Sequence, residues 1–277
     1  MSKVWFLTGA SRGFGLEIAR KALNRGDRVV ATARRADQIR TRLPGADDAL
    51  LPVDLDVTDA EQVRRAVESA VDAFGRIDVV VNNAGRGLLG AVEEASDAAV
   101  RAVYEVNVFG TLNVQRAVLP IMRRQRSGHI INLSSVGGLL GSAGWGIYCS
   151  TKFAVEGFSE ALAQEVRSLG IWVTIVEPGY FRTDFLDASS LGTEENVIAD
   201  YDSTAGATRT HAADVNHEQP GDPVKAAAAI VDLASASEPP VHLLLGADCL
   251  AAVENKIRTL QADIDNWRAV STSTDHD

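Results

Sequence analysis

Seven short runs rich in Val, Ile and Leu recur along the chain, each separated from the next by a longer segment of helical period. The runs fall at residues 4–8, 28–33, 50–54, 77–81, 129–133, 172–176 and 241–245. Near-continuous apolar strands are those buried on both faces, and helices between them supply the cover. Segment 60–74 is typical of the connections, with Val63, Val67, Ala70, Val71 and Phe74 at helical spacing. The pattern predicts an α/β fold: a single doubly wound Rossmann domain, with a seven-stranded parallel sheet and helices on both faces.

That domain is expected to occupy residues 1–250. Within it, residues 186–222 are polar and aperiodic, interrupted by Gly192, Gly206, Pro220 and Gly221. Such a stretch predicts a substrate loop or lid. Helical period returns over 251–270 as a C-terminal helix (Val253, Ile257, Leu260, Ile264, Trp267), and 271–277 is expected to be a flexible tail.

Composition narrows the functional classes. With 46% hydrophobic and 23% charged residues in 277, the chain can bury a large core. Its formal charge, 27 − 37 = −10, argues against an electrostatic nucleic-acid or membrane-surface binder. Cys149 and Cys249 are the only cysteines, and the five histidines show no ligand spacing, so neither a disulfide framework nor a metal is expected. The N-terminus reaches Gly9 too early for a signal-peptide apolar region, and no run approaches the ~20 apolar residues of a membrane span. A cytoplasmic protein is the expectation.

The first strand runs directly into Thr8-Gly9-Ala10-Ser11-Arg12-Gly13-Phe14-Gly15, and a helical pattern follows. Strand, glycine turn and helix start together make an anion site, because free backbone N–H groups and the positive end of the helix dipole face the same point. Gly9, Ser11, Arg12, Gly13, Phe14 and Gly15 are therefore candidate pyrophosphate contacts. The glycines do not follow the G-x-G-x-x-G spacing of the standard dinucleotide fingerprint. The second strand ends in Ala33-Arg34-Arg35, with no carboxylate before Asp37. A carboxylate there would hold the ribose 2′-hydroxyl of NAD; arginine suits the 2′-phosphate of NADP. Arg34 and Arg35, with Arg12, point to NADP(H) ahead of NAD(H).

Asn82-Asn83-Ala84-Gly85 follows the fourth strand, small enough for backbone to pass close to a ribose or adenine. Tyr148 and Lys152 stand four residues apart at the start of a long helical segment, on one face. A phenol titrates near ~10 and needs a neighbouring cation if its phenolate is to be favoured at neutral pH. Lys152 is placed to supply one.

In order and spacing, Thr8–Gly15, Asn82–Gly85, Asn107, Ser134-Ser135, Tyr148/Lys152 and Pro178-Gly179 resemble the short-chain dehydrogenase/reductase family, over residues 3 to about 183. The resemblance implies that Tyr148 is the general acid in ketone reduction and the base in alcohol oxidation. It implies that Lys152 lowers the phenol pKa and holds the nicotinamide ribose, that Ser135 binds the substrate oxygen, and that Asn107 positions a water in a proton relay. It also implies cofactor contacts from Asp56, Val57, Asn83, Ala84, Gly85, Pro178, Gly179 and Thr183. The extension after the seventh strand and the stretch 178–185 resemble the hydroxysteroid-dehydrogenase-like branch. Members are commonly homodimers or homotetramers.

Segments 86–89, 136–145 and 186–222 are the expected substrate determinants. Residues 136–145 are small and apolar, with no fixed charge between Ser135 and Tyr148, which suits a hydrophobic ketone, aldehyde or alcohol. Two alternatives stand beside that reading. One is a ketoreductase of acyl-carrier-protein substrates, for which Arg123, Arg124 and Arg126 are the available basic cluster. The other is a non-catalytic NADP-binding regulatory protein, which would have no need of the Asn107/Ser135/Tyr148/Lys152 set.

Overall fold

The computed structural model describes residues 2–46 and 48–276. The expected tail residue Asp277 lies outside them. Seven strands form one sheet: β1 (Val4–Leu7), β2 (Arg28–Ala33), β3 (Leu50–Asp54), β4 (Val79–Asn82), β5 (Gly128–Leu133), β6 (Ile171–Pro178) and β7 (His242–Leu245). Every pairing is parallel, in the order β3-β2-β1-β4-β5-β6-β7. The helices are α1 (Gly13–Asn24), α2 (Asp37–Arg42), α3 (Ala60–Phe74), α4 (Asp97–Tyr104), α5 (Thr111–Gln125), α6 (Gly146–Val166), α7 (Ala207–Asp214), α8 (Pro223–Leu233) and α9 (Ala247–Thr272). This is the doubly wound Rossmann architecture expected from the sequence.

Successive strand residues point to opposite faces, and the apolar runs fill both. Trp5, Leu7, Val29, Ala31 and Ile131 pack with α1 and α8 on one side. Phe6, Val30, Val80, Ile130 and Val173 pack with α3, α5 and α6 on the other. Each large side chain so buried contributes roughly 1.5–3 kcal/mol. Helix ends follow local chemistry. The Asp59 carboxylate accepts N–H from Glu61 and Gln62 to start α3, and Gly75, at φ 79°, ends it in the left-handed region.

The strand order reverses between β1's two neighbours, β2 and β4. At such a switch point the C-terminal strand ends diverge and leave a crevice for a ligand. The glycine turn after β1, Arg34 after β2, Asn83–Gly85 after β4, Ser134-Ser135 after β5 and Gly179 after β6 all lie at that edge.

The expected loop 186–222 is more ordered than its composition suggests. Leu191–Thr193 pairs as a short parallel strand with Gly87–Leu89, and α7 follows. Ala205, Ala212 and Gln219 are buried. The helix leaves no helical period in the sequence because Ala212 is its only buried residue and the rest of it is Thr, Arg, His, Asp and exposed Ala. Arg209 also pairs with buried Glu94 at 2.6 Å, and Glu94 accepts N–H from Ala91 and Ile198. Those contacts hold Glu94 well below the ordinary carboxylate pKa, at about 2. The C-terminal helix starts at Ala247 and runs to Thr272, longer at both ends than the expected 251–270. Among the described residues no helix is long and apolar enough to cross a membrane.

Candidate active site

Thr8 and Asn83 brace the floor of the crevice. The Thr8 hydroxyl accepts N–H from Asn83 and Ala84, both at 3.0 Å, and the Asn83 amide donates to the carbonyls of Thr8 and Gly9. Gly9 (φ 65°) and Gly13 (φ 54°) occupy conformations that favour glycine. A Cβ on Gly15 would meet the Gly9 carbonyl and come 2.6 Å from the Asn83 amide. The turn is therefore closed to side chains from beneath. Above it, α1 begins with no side-chain cap and no acidic residue in its first turn. Its N–H groups and dipole are left for an anion.

A cavity of about 600 Å³ extends from there, lined by Gly9, Ser11, Arg12, Phe14, Arg34, Asp56, Val57, Asn83, Ala84, Gly85 and Thr183. The residues fit a dinucleotide: a glycine-lined anion cradle in the middle and a guanidinium at the far end. Asp54, opposite Ala33 in the β2–β3 register, accepts the Ala36 N–H at 2.7 Å and does not replace the carboxylate missing from β2. Two of the expected cofactor residues differ from the simple picture. Arg35 turns away to Gln38 and does not line the cavity. Arg12 does line it, but its guanidinium is held by Ser189 and Ser190, at 2.5 and 2.7 Å to their hydroxyls. Gly13 and Gly15 do not line the cavity, Gly13 facing Thr183 and Gly15 packing against the Gly9 carbonyl, while Pro178 and Gly179 line the adjoining cavity.

That second cavity, about 190 Å³, shares Phe14, Asn83, Gly85, Thr183 and Phe185 with the first. It contains Ser135, Tyr148 and Lys152 together. Phe14, Leu133, Val136, Trp145, Phe181, Phe185 and Leu186 supply its apolar wall, and among the described residues Lys152 is its only charged lining side chain. Trp145 and Phe185 contact the Tyr148 ring, with centroids 5.6 and 5.4 Å away. Ser135, two residues past β5, is in extended conformation, and its hydroxyl accepts the Gly137 N–H at 3.1 Å, leaving its own O–H to donate. Burial pushes the Tyr148 phenol above its ordinary pKa, with a hydrogen bond from Ser135 opposing the rise. Lys152, one helical turn on, has its ammonium 5.8 Å from the Tyr148 ring centroid and donates to the Leu133 carbonyl at 2.7 Å. Burial pushes it down to about 8, and Glu156 opposes that.

Asn107 lies in a π-helical turn (Glu105–Gly110), one wide turn within the α4–α5 run. Its amide spans three groups. Oδ1 accepts the Arg86 N–H, while Nδ2 donates to the Arg86 carbonyl and the Thr151 hydroxyl, all within 3.0 Å. It thus ties the strand-end loop at Arg86 to α6, which carries Tyr148 and Lys152.

Sequence reasoning missed what stands behind Lys152. Glu156, one turn further along α6, is 4% exposed, as against fully buried Glu177 beside it. His242 Nδ1 lies 2.8 Å from Glu177 and 3.7 Å from Glu156. Burial raises both carboxyls, Glu156 to about 7 and Glu177 to about 8. The i, i+4 spacing from Lys152 was the available signal for Glu156; nothing local announces Glu177 or His242.

The sequence profile described as short chain dehydrogenase matches residues 3–193. Oxidoreductase BOA17 of Botryotinia fuckeliana is 42% identical over 275 residues, covering 99% of this chain and 100% of that protein. A 3-ketodihydrosphingosine reductase of Bacteroides thetaiotaomicron is 41% identical, over 72% of this chain and 71% of its own length. Human retinol dehydrogenase 8 is 40% identical, over 65% and 59%. Among solved structures, a short-chain dehydrogenase from Streptomyces avermitilis superposes with TM-score 0.93 at 40% identity, covering both chains completely. One from Burkholderia phymatum in complex with NAD gives 0.80 at 27%, over 95% of each. One from Burkholderia cenocepacia with NADP gives 0.74 at 25%, over 96% and 97%. The chain belongs to the short-chain dehydrogenase/reductase family of oxidoreductases, whose structural neighbours hold NAD or NADP.

Proposed function

We propose that this protein is an NADP(H)-dependent oxidoreductase that interconverts an apolar ketone or aldehyde with its alcohol, with Tyr148 as general acid and base. The observation that carries the reading is one cavity in which Ser135, Tyr148 and Lys152 meet under an otherwise uncharged, aromatic wall. A bound nicotinamide supplies the hydride. The rest is done by this chain's side chains. The Ser135 O–H donates to the carbonyl oxygen and fixes it beside the phenol. Tyr148 then delivers its proton as negative charge develops on that oxygen. A phenol whose pKa is raised by burial is protonated at neutral pH, the state in which it can act as the acid in reduction. Lys152 steadies the phenolate that remains, and its tether to Leu133 fixes the ammonium at the end of β5, two residues before Ser135. Asn107 acts as a positioning residue through Arg86 and Thr151.

Arg34 at the cavity rim supports NADP(H), together with the missing carboxylate on β2. The wall of Phe14, Trp145, Phe181 and Phe185 supports an apolar substrate, in keeping with relatives named for a sphingoid ketone and for retinol. The test is turnover of NADPH against a panel of apolar ketones and aldehydes by wild type, Tyr148→Phe and Lys152→Ala. Tyr148→Phe keeps the ring and should bind NADPH normally while losing ~10²–10⁴ in turnover. Lys152→Ala should lose both turnover and cofactor affinity. Near-normal turnover by Tyr148→Phe overturns the mechanism.

A further inference from the structure

A buried polar atom without a partner is destabilising, and two of them belong to residues on the wall of the substrate cavity. Gln219 is 1% exposed, and its side-chain Oε1 accepts no hydrogen bond. Trp145 is 7% exposed, and its indole Nε1 finds no acceptor. Both residues line the cavity that holds Ser135, Tyr148 and Lys152, and neither lines the dinucleotide cavity. Their positions are firmly set. The Gly221 N–H donates to the Tyr180 carbonyl at 3.0 Å and the Arg182 N–H to the Gly221 carbonyl at 2.9 Å. Arg182 Nε donates to the Gln219 carbonyl at 3.3 Å. Residues 219–221 are thus stitched to the stretch that follows β6, and Pro220 further confines the Gln219 backbone. Trp145 stands at the start of α6, edge-on to the Tyr148 ring and stacked with Phe185 at 6.5 Å between centroids.

We propose that Gln219 and Trp145 bind a hydroxyl group of the substrate, so that the substrate is an apolar ketone or aldehyde with a hydroxyl remote from its reacting carbonyl. The inference rests on the reading of this cavity as an apolar carbonyl site and adds a second polar group to that substrate. The chemistry of the two unpaired atoms selects the group. Oε1 needs a donor and the indole N–H needs an acceptor, and a hydroxyl supplies both. A carboxylate supplies no donor, and the cavity's one cation, Lys152, is already placed beside Tyr148 and tied to Leu133. An ammonium supplies no acceptor. The reacting carbonyl oxygen has its own partners in Ser135 and Tyr148. The cofactor meets this cavity at the residues that both cavities share, Phe14, Asn83, Gly85, Thr183 and Phe185, and these include neither Gln219 nor Trp145. A wholly apolar ketone leaves both polar atoms unpaired, which is how a site built for a hydrogen-bonding substrate rejects the analogue that lacks the group.

The experiment is steady-state oxidation of NADPH by the full-length enzyme with linear methyl ketones of increasing length, each with and without a hydroxyl at the far end. In the wild type, one length should show a KM at least ~tenfold lower for the hydroxy-ketone than for its plain partner, with kcat little changed. Gln219→Leu keeps the bulk and removes the amide, and should erase that advantage by raising KM for the hydroxy-ketone. Gln219→Glu keeps an acceptor in the same place and should retain most of it. Trp145→Phe removes the indole N–H and should reduce the advantage severalfold. Fluorescence titration should give Gln219→Leu the NADP(H) affinity of the wild type. Equal KM values for the paired ketones at every length overturn this inference and leave the apolar carbonyl site standing. So does a Gln219→Leu enzyme that keeps the advantage. One that loses NADP(H) affinity with its denaturation midpoint intact assigns the amide to the nicotinamide and overturns the inference as well. Absence of turnover with every ketone overturns the reading of the site, and this inference with it.

Discussion

Arg12 and Ser190 stand 178 positions apart in sequence, yet the guanidinium of one donates to the hydroxyl of the other at 2.7 Å. The contact joins the glycine turn at the start of α1 to the segment whose Asp184, Phe185, Ser189 and Ser190 line the crevice. Phe185 and Leu186 lie on the same segment and face Tyr148 and the apolar wall. Anything that moves the glycine turn therefore moves a wall of the substrate cavity as well.

Removing that latch should loosen the segment. Arg12→Ala leaves Ser189 and Ser190 without their donor, and cleavage within 186–222 by a nonspecific protease should speed up severalfold. Bound NADP(H) should slow cleavage of the wild type. The rate at which the intact band disappears checks both expectations; equal rates for wild type and variant would show that the Glu94–Arg209 pair holds the segment unaided.

Cofactor choice should follow Arg34. Fluorescence titration of the wild type should show NADP(H) bound at least tenfold more tightly than NAD(H), a difference of about 1.4 kcal/mol. Arg34→Asp replaces a phosphate-binding fork with a carboxylate suited to a ribose hydroxyl, so the preference should vanish or invert. Arg35→Asp should change it much less, because Arg35 faces Gln38 and not the cavity.

Gly15→Ala should injure the anion cradle from beneath. Its methyl group would have to displace the Gly9 carbonyl or the Asn83 amide, 2.6 Å away in the latter case. Overpacking of that kind costs roughly 1–3 kcal/mol. Chemical denaturation should register the loss, and NADP(H) affinity should fall with it because the displaced atoms belong to the turn.

Stability should decline with pH through the titration of Glu156. Its ordinary pKa of 4.5 is raised to about 7 in the folded protein, first by burial. Between those values the native state holds a proton that the unfolded state has released, so ΔG of unfolding falls as pH rises through that window. Glu156→Gln keeps the shape and removes the titration. Urea midpoints measured from pH 5 to pH 8 should fall in the wild type relative to the variant, by a free energy on the order of 2 kcal/mol.

Local periodicity was enough for the sheet and for much of the site. Two-faced apolar strands can be satisfied only between helices, so the seven runs and their connections already imply the doubly wound layer arrangement. The Tyr148–Lys152 pair was equally legible, since four residues along a helix place two side chains on one face whatever surrounds them. Tertiary structure decided everything that depends on contacts between distant segments. Arg12 reaches Ser190, Glu94 takes Arg209 and Glu177 meets His242, none of which leaves a periodic trace. The segment 186–222 looked irregular because α7 buries a single alanine, Ala212, among polar neighbours, which scarcely shows in a hydrophobicity pattern. The apolar stripe of α9 was visible as spacing, but only its exposure in the folded chain shows that the domain leaves it uncovered. Periodicity records which face of an element is apolar; what covers that face is set by the path of the chain through space.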